Sequence, residues 1–154
     1  MKKKQKITIH GSTGTIGKNT LSVISKLSDQ FQVYALTAKR NITVLYNQII
    51  KFKPRYVVVQ DSLLAQKLST KCKKSRQETI ILHGEDNFIR VSSDKTVDYV
   101  LSGISGAAAL KPTYAAILAG KKILLANKES LIMSGDLMLR AAKRSGSIII
   151  PVDS

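Results

Sequence analysis

Short runs rich in β-branched residues alternate with stretches of helical periodicity along this 154-residue chain, and the alternation restricts the fold more than any other feature. Residues 6–10, 31–37, 56–59, 79–83, 98–102, 122–125 and 147–150 read as strands, each a short apolar or alternating run bounded by Gly, Pro or polar residues. Helical segments lie between them. Residues 15–27 place Ile16, Leu21, Val23, Ile24 and Leu27 mainly on one face of a 3.6-residue period, and residues 43–52 do so with Val44, Leu45, Gln48, Ile49 and Phe52. Pro54 closes the second, since proline disfavours helix in the residue before it. Asp61 is placed to cap a helix over residues 62–71, and residues 85–90, 110–119 and 130–145 complete the set, with Gly120 and Gly146 as stops. The pattern predicts an α/β fold, a Rossmann-like doubly wound and mainly parallel sheet with helices on both faces. No linker or repeat interrupts it, so residues 1–154 are expected to form one domain. The chain runs out at Pro151-Val-Asp-Ser154, straight after a hydrophobic strand, which is expected of a piece of a longer protein.

A hydrophobic fraction of 44% with 23% charged residues is that of a chain with a core, which excludes wholesale disorder. No apolar run approaches the roughly 20 residues of a membrane span, and the lysine-rich start leads into too few apolar residues for a signal-peptide core. A cytoplasmic protein without membrane partners is expected. The single cysteine, Cys72, excludes an internal disulfide and a multi-cysteine metal site, and its Lys-Cys-Lys-Lys setting reads as an exposed, incidental linker. The net charge of +15 is uneven: residues 1–80 hold 16 basic and 3 acidic side chains, residues 81–154 hold 9 and 7. The excess gathers in residues 2–6, 51–55 and 71–76, while aromatics make up only 5% of the chain and Trp is absent. A base-stacking nucleic-acid surface is therefore disfavoured against solvated basic loops or a phosphorylated ligand.

The sharpest local feature is Gly11-Ser-Thr-Gly14-Thr-Ile-Gly17, between the first strand and the first helix. A dinucleotide pyrophosphate needs a tight turn, close backbone approach and free amides at a helix N-terminus, and this placement offers them. The glycine intervals are three and three, where the commonest dinucleotide fingerprint has two and three, so the turn is longer. Ser12, Thr13 and Thr15 add hydroxyls able to bind phosphate oxygens without adding charge. An NAD site places Asp or Glu near the end of the second strand to bind the ribose hydroxyls. Here that strand runs into Thr37-Ala-Lys-Arg-Asn41, and Asp29 lies at its wrong end. Lys39 and Arg40 suit a ribose 2′-phosphate, which favours NADPH over NADH.

No Tyr precedes a Lys by four residues, so the Tyr-Lys pair of short-chain reductases is absent. Gly103-Ile-Ser-Gly106 follows a strand, either as a second loop against the cofactor or as a turn leading into a helix. Asn127, Lys128 and Glu129 follow the strand at 122–125, where the carboxyl ends of a doubly wound sheet line a ligand crevice; a helix cap with a local ion pair fits the same residues.

Together, Gly11-Ser-Thr-Gly-Thr-Ile-Gly17, Ala126-Asn-Lys-Glu-Ser130 and Pro151-Val-Asp-Ser154, in this order and at these separations, closely resemble the 1-deoxy-D-xylulose 5-phosphate reductoisomerase family, as does the stretch from Ser102 to Thr113. The resemblance implies an NADPH-binding domain whose catalytic and C-terminal domains come later in the protein. It implies conversion of 1-deoxy-D-xylulose 5-phosphate to 2-C-methyl-D-erythritol 4-phosphate in non-mevalonate isoprenoid biosynthesis, by rearrangement of the carbon skeleton and reduction with NADPH, with Mg²⁺ or Mn²⁺ and in a homodimer. It further implies that Thr13, Gly14, Thr15 and Ile16 hold the pyrophosphate region and Lys39, Arg40 and Asn41 the adenosine end. Asn127 and Glu129 would contact the cofactor nearer its nicotinamide, Lys128 would bind substrate and act in catalysis, Ser154 would bind substrate, and Asp153 would be a metal ligand. Many family members carry Gly where Lys39 stands. The chain alone is expected to bind NADPH weakly without turnover. The readings held beside this one are another NADP-linked oxidoreductase and a stand-alone nucleotide- or polyanion-binding domain.

Overall fold

The computed structural model describes residues 3–104, 107–126 and 128–152, with side chains for all of these except Ala107 and residues 128–133. The strands are β1 (Gln5–His10), β2 (Phe31–Thr37), β3 (Tyr56–Val59), β4 (Ile80–His83), β5 (Tyr99–Ser102), β6 (Lys122–Leu125) and β7 (Ile148–Pro151). The helices are α1 (Thr15–Lys26), α2 (Ile42–Phe52), α3 (Ser62–Lys74), α4 (Glu85–Ser93), α5 (Leu110–Leu118) and α6 (Lys128–Ser145), with a 3-10 turn at Ala107–Ala109. All seven strands join one parallel sheet in the order β4-β3-β2-β1-β5-β6-β7. The expected α/β fold is the observed one.

This order places successive crossovers outward from β1 in one direction, then outward from β1 in the other. Right-handed crossovers put the two trios of helices on opposite faces. One core cluster joins Ile7, Ile9, Val57 and Val59 to Leu21 and Ile24 of α1, Leu45 and Ile49 of α2, and Leu68 of α3. The other joins Tyr56, Val58, Val100 and Ile123 to Val91 of α4, Ala116 and Ile117 of α5, and Met138 of α6. Both faces of β3 are covered, so all four of its residues are buried, as a two-sided parallel strand requires. Each fully buried Ile or Leu contributes on the order of 2 kcal/mol from apolar surface removed from water. The register slips once: Ile7 pairs with Val33 and Thr8 with Ala35, leaving Tyr34 as an extra residue in β2. Tyr34 and Ala35 consequently both face the second cluster, where the Tyr34 ring meets Tyr56 edge-on at 5.7 Å.

Five local readings are corrected. Helix α3 continues to Lys74, and Cys72, read as an exposed linker residue, is only 2% exposed. Ala65, Leu68 and Cys72 follow the helical period inward while Lys71, Lys73 and Lys74 project into solvent, so periodicity outweighs the composition of the neighbours. Val23 faces solvent. Helix α4 extends to Ser93, and α6 begins at Lys128 with a kink at Ser134.

Candidate dinucleotide site

The strand order reverses between β1 and β5, and an open α/β sheet binds ligands at the carboxyl ends of the strands at such a point. The glycine turn leaves β1 there. Gly11 takes a left-handed φ of +76°, and a Cβ on it would come within 2.7 Å of the Gly103 carbonyl oxygen on the neighbouring loop. A Cβ on Gly17 would lie 2.3 Å from the Gly11 oxygen and 2.6 Å from the Ser12 Cα, so only glycine lets α1 pack against its own turn. Gly14 is different. A Cβ there would meet the Gly11 oxygen at an ordinary 3.5 Å, so space inside the fold does not demand glycine. Gly14 is also the N-cap of α1 and makes no side-chain cap, which leaves the first amides of the helix, at Thr15, Ile16 and Gly17, without intrahelical acceptors. These amides and the positive end of the helix dipole suit a phosphate.

The turn is anchored from below. The Thr37 carbonyl accepts from both Gly11 N and Ser12 N at 3.0 Å. Gly11 N also reaches Thr37 Oγ1 at 3.3 Å, and that hydroxyl meets His10 Nδ1 at 3.1 Å. On the other side of the ring, His10 Nε2 contacts Ser92 Oγ, which donates to the Phe88 carbonyl at 3.0 Å. We assign the tautomer that satisfies the whole network: Ser92 donates to the Phe88 carbonyl and accepts from Nε2–H, and bare Nδ1 accepts from Thr37. Every member of this buried chain is thereby satisfied by a neutral imidazole, and burial pushes the His10 pKa down to about 4. The Ser12 hydroxyl, expected to bind phosphate, is instead spent: it is fully buried and donates to Gln48 Oε1 at 2.8 Å, while Gln48 Nε2 donates back to the Ser12 carbonyl at 2.9 Å. Thr13 is half-buried and Thr15 exposed, so their hydroxyls stand at the surface of the turn.

A groove of about 400 Å³ runs across this edge, lined by Thr13 and Gly14 of the turn, Lys39, Arg40 and Asn41 after β2, and Phe88 and Ile104 opposite. Lys39 and Arg40 are exposed, and among the described residues neither forms an ion pair; the pair present joins Lys111 to Glu85. Asn41, which also lines the groove, caps α2, its Oδ1 accepting from Val44 N at 3.2 Å. Gly103 and Ile104 also line the groove, so the loop after β5 does approach the turn. A larger cavity of about 550 Å³ lies at the amino ends of the strands, where Lys6, Lys53, Arg55 and Arg76 bring the three basic runs to one wall. It lacks both the glycine turn and the strand reversal, which makes the smaller groove the candidate site.

The backbone sets Lys128 and Glu129 at the start of α6, just past the carboxyl end of β6 and thus at the same edge of the sheet as the groove. Asn127, Asp153 and Ser154 lie outside the described residues. Sequence reasoning missed Thr37, His10 and Phe88. Phe88 alone carried a usable signal, an aromatic in the first turn of a helix that follows a strand's carboxyl end.

Residues 7–135 match the model of the 1-deoxy-D-xylulose 5-phosphate reductoisomerase family. The chain belongs to that family. It is 46% identical over 150 residues to the 1-deoxy-D-xylulose 5-phosphate reductoisomerase of Saccharophagus degradans, covering 97% of this chain and 38% of the relative. A crystal structure of DOX-P reductoisomerase in complex with magnesium superposes with a TM-score of 0.94 at 40% identity, over 99% of this chain and 38% of the other. Another, in complex with NADPH, fosmidomycin and magnesium, gives 0.91 at 40% identity over 96% and 36%. The chain thus spans about 38% of the length of the relatives it matches. Membership in the reductoisomerase family sets aside the reading as some other family of NADP-linked oxidoreductase.

Proposed function

We propose that this chain is the NADPH-binding portion of an enzyme that rearranges and reduces 1-deoxy-D-xylulose 5-phosphate to 2-C-methyl-D-erythritol 4-phosphate, the later domains supplying the rest of the active site. The observation that carries the reading is the uncapped start of α1 at the strand reversal, flanked by two cations that form no ion pair among the described residues and with no acid at the end of β2. The amides heading α1 neutralise the pyrophosphate, with Thr13, Gly14, Thr15 and Ile16 against it. Lys39 and Arg40 hold the 2′-phosphate, and Asn41 offers its amide nitrogen to the adenosine end. When bound, NADPH supplies the hydride for the reduction. Asn127 and Glu129 orient its nicotinamide half, while Lys128 and Ser154 hold the sugar phosphate. Among the described residues no three His, Cys, Asp or Glu side chains converge, so these alone do not form a divalent-metal site. Asp153, a hard oxygen donor, is the position proposed to contribute to one for Mg²⁺ or Mn²⁺. A homodimer and a cytoplasmic location belong to the same reading, and no described helix is long and apolar enough to cross a membrane.

Calorimetric titration tests the cofactor assignment. NADPH is expected to bind at least tenfold more tightly than NADH, with the preference lost in a Lys39→Ala/Arg40→Ala double variant, since charge-assisted phosphate contacts contribute about 1.5–3 kcal/mol. Equal affinities for NADPH and NADH in the parent would sink the 2′-phosphate assignment.

A further inference from the structure

A second cavity of about 230 Å³ adjoins the groove and shares Lys39, Phe88 and Ile104 with it. Gln60, Glu85, Ala108 and Pro112 complete its wall, which includes no residue of the glycine turn. Among the described residues, Phe88 is the one aromatic side chain lining either space. Its ring is backed by His10, with centroids 6.2 Å apart and planes 18° from parallel. Ser92, one turn along α4, ties the His10 ring to the helix that carries Phe88. A buried, fixed imidazole therefore lies near-parallel to the phenyl ring in offset contact, while the side chain as a whole stays partly exposed to both cavities.

The chemistry of the ligand says what belongs there. In NADPH the adenine and the 2′-phosphate hang on adjacent carbons of one ribose, so a site that takes the 2′-phosphate on Lys39 has the adenine one sugar's width away. Lys39 lines both cavities, and of the two only the larger contains the pyrophosphate turn. We infer that Phe88 is a stacking platform for the adenine ring in the smaller cavity, with His10 as the positioning residue behind it. This rests on the reading of the chain as an NADPH-binding unit. A flat aromatic on a purine gains by face-to-face contact what an aliphatic of equal size does not. Gln60 and Glu85 on the same wall carry the polar groups that an exocyclic amine can meet.

The probe is adenosine 2′,5′-bisphosphate, titrated by calorimetry into the gene product that carries these residues. Phe88→Ala and Phe88→Leu are expected to weaken binding about tenfold and Phe88→Tyr to retain the parent affinity. Reduced nicotinamide mononucleotide, which lacks adenine, is expected to bind all four proteins alike. In turnover, Phe88→Ala should raise KM for NADPH about tenfold at unchanged kcat. Parent-like affinity in Phe88→Ala or Phe88→Leu, or equal losses in Leu and Tyr, would overturn the platform. A parent that binds the bisphosphate but does not convert 1-deoxy-D-xylulose 5-phosphate would overturn the proposed reaction and leave the platform standing. A parent that is active, with Phe88→Ala unchanged in KM, would overturn the platform alone, and a parent that binds neither nucleotide would overturn both.

Discussion

His10 joins three elements through one uncharged ring, and protonating it would place a second N–H against the Thr37 hydroxyl that now donates to Nδ1. Its pKa is about 4 in the fold against 6.5 in the open chain, so the neutral form is the one the fold stabilises. The sign follows from linkage. Below pH 6.5 the unfolded chain takes up a proton that the folded chain refuses, so the contribution is fully present above pH 6.5 and drains away as the pH falls through 4, by about 3 kcal/mol. Urea unfolding at pH 7 and pH 4.5 should show this loss in the parent and a correspondingly smaller one in His10→Leu. Cys72 gives a second residue-scale expectation. Burial raises its thiol pKa, so it should resist thiol reagents in the folded protein and react once urea opens the chain. Rapid labelling of the native state would return Cys72 to the exposed linker that its lysine neighbours suggest.

The elements divide their glycines into those the fold needs and one the ligand needs. In the turn into α1, Gly17→Ala forces a Cβ into the Gly11 carbonyl and should cost about 3 kcal/mol of stability as well as cofactor binding. Gly14→Ala meets only an ordinary contact, so its unfolding free energy should stay within about 0.5 kcal/mol of the parent, while NADPH binding should weaken if the pyrophosphate sits on this turn as proposed. Denaturant melts paired with calorimetry separate the two cases. The turn was legible in the sequence because a glycine requirement is local to the backbone, and strand followed by turn followed by helix is written in consecutive residues. The fate of Ser12 was not, since the Gln48 that occupies it arrives from α2, 36 positions away.

At the scale of the molecule, the sheet among the described residues ends on β7, where Ile148 is 52% and Ile150 39% exposed. An apolar, unpaired edge is a template for self-association. The 154-residue chain on its own should therefore associate with rising concentration in light scattering, and Ile148→Lys with Ile150→Lys should suppress it; a strictly monomeric parent would contradict this. By itself the sequence determined the alternation of strands and helices, the parallel doubly wound sheet that alternation requires, and the glycine turn with Lys39 and Arg40 after the next strand, because period, turn chemistry and charge are local properties. Which side chains converge was decided by the tertiary structure alone. Cys72 became core because α3 docks its lysine-flanked stripe on the sheet, and Ser12 left the ligand for Gln48. Phe88 reached the groove because a crossover lays α4 behind β1, bringing Ser92 onto a ring 82 positions earlier, and no pattern in neighbouring residues encodes a contact made across that distance.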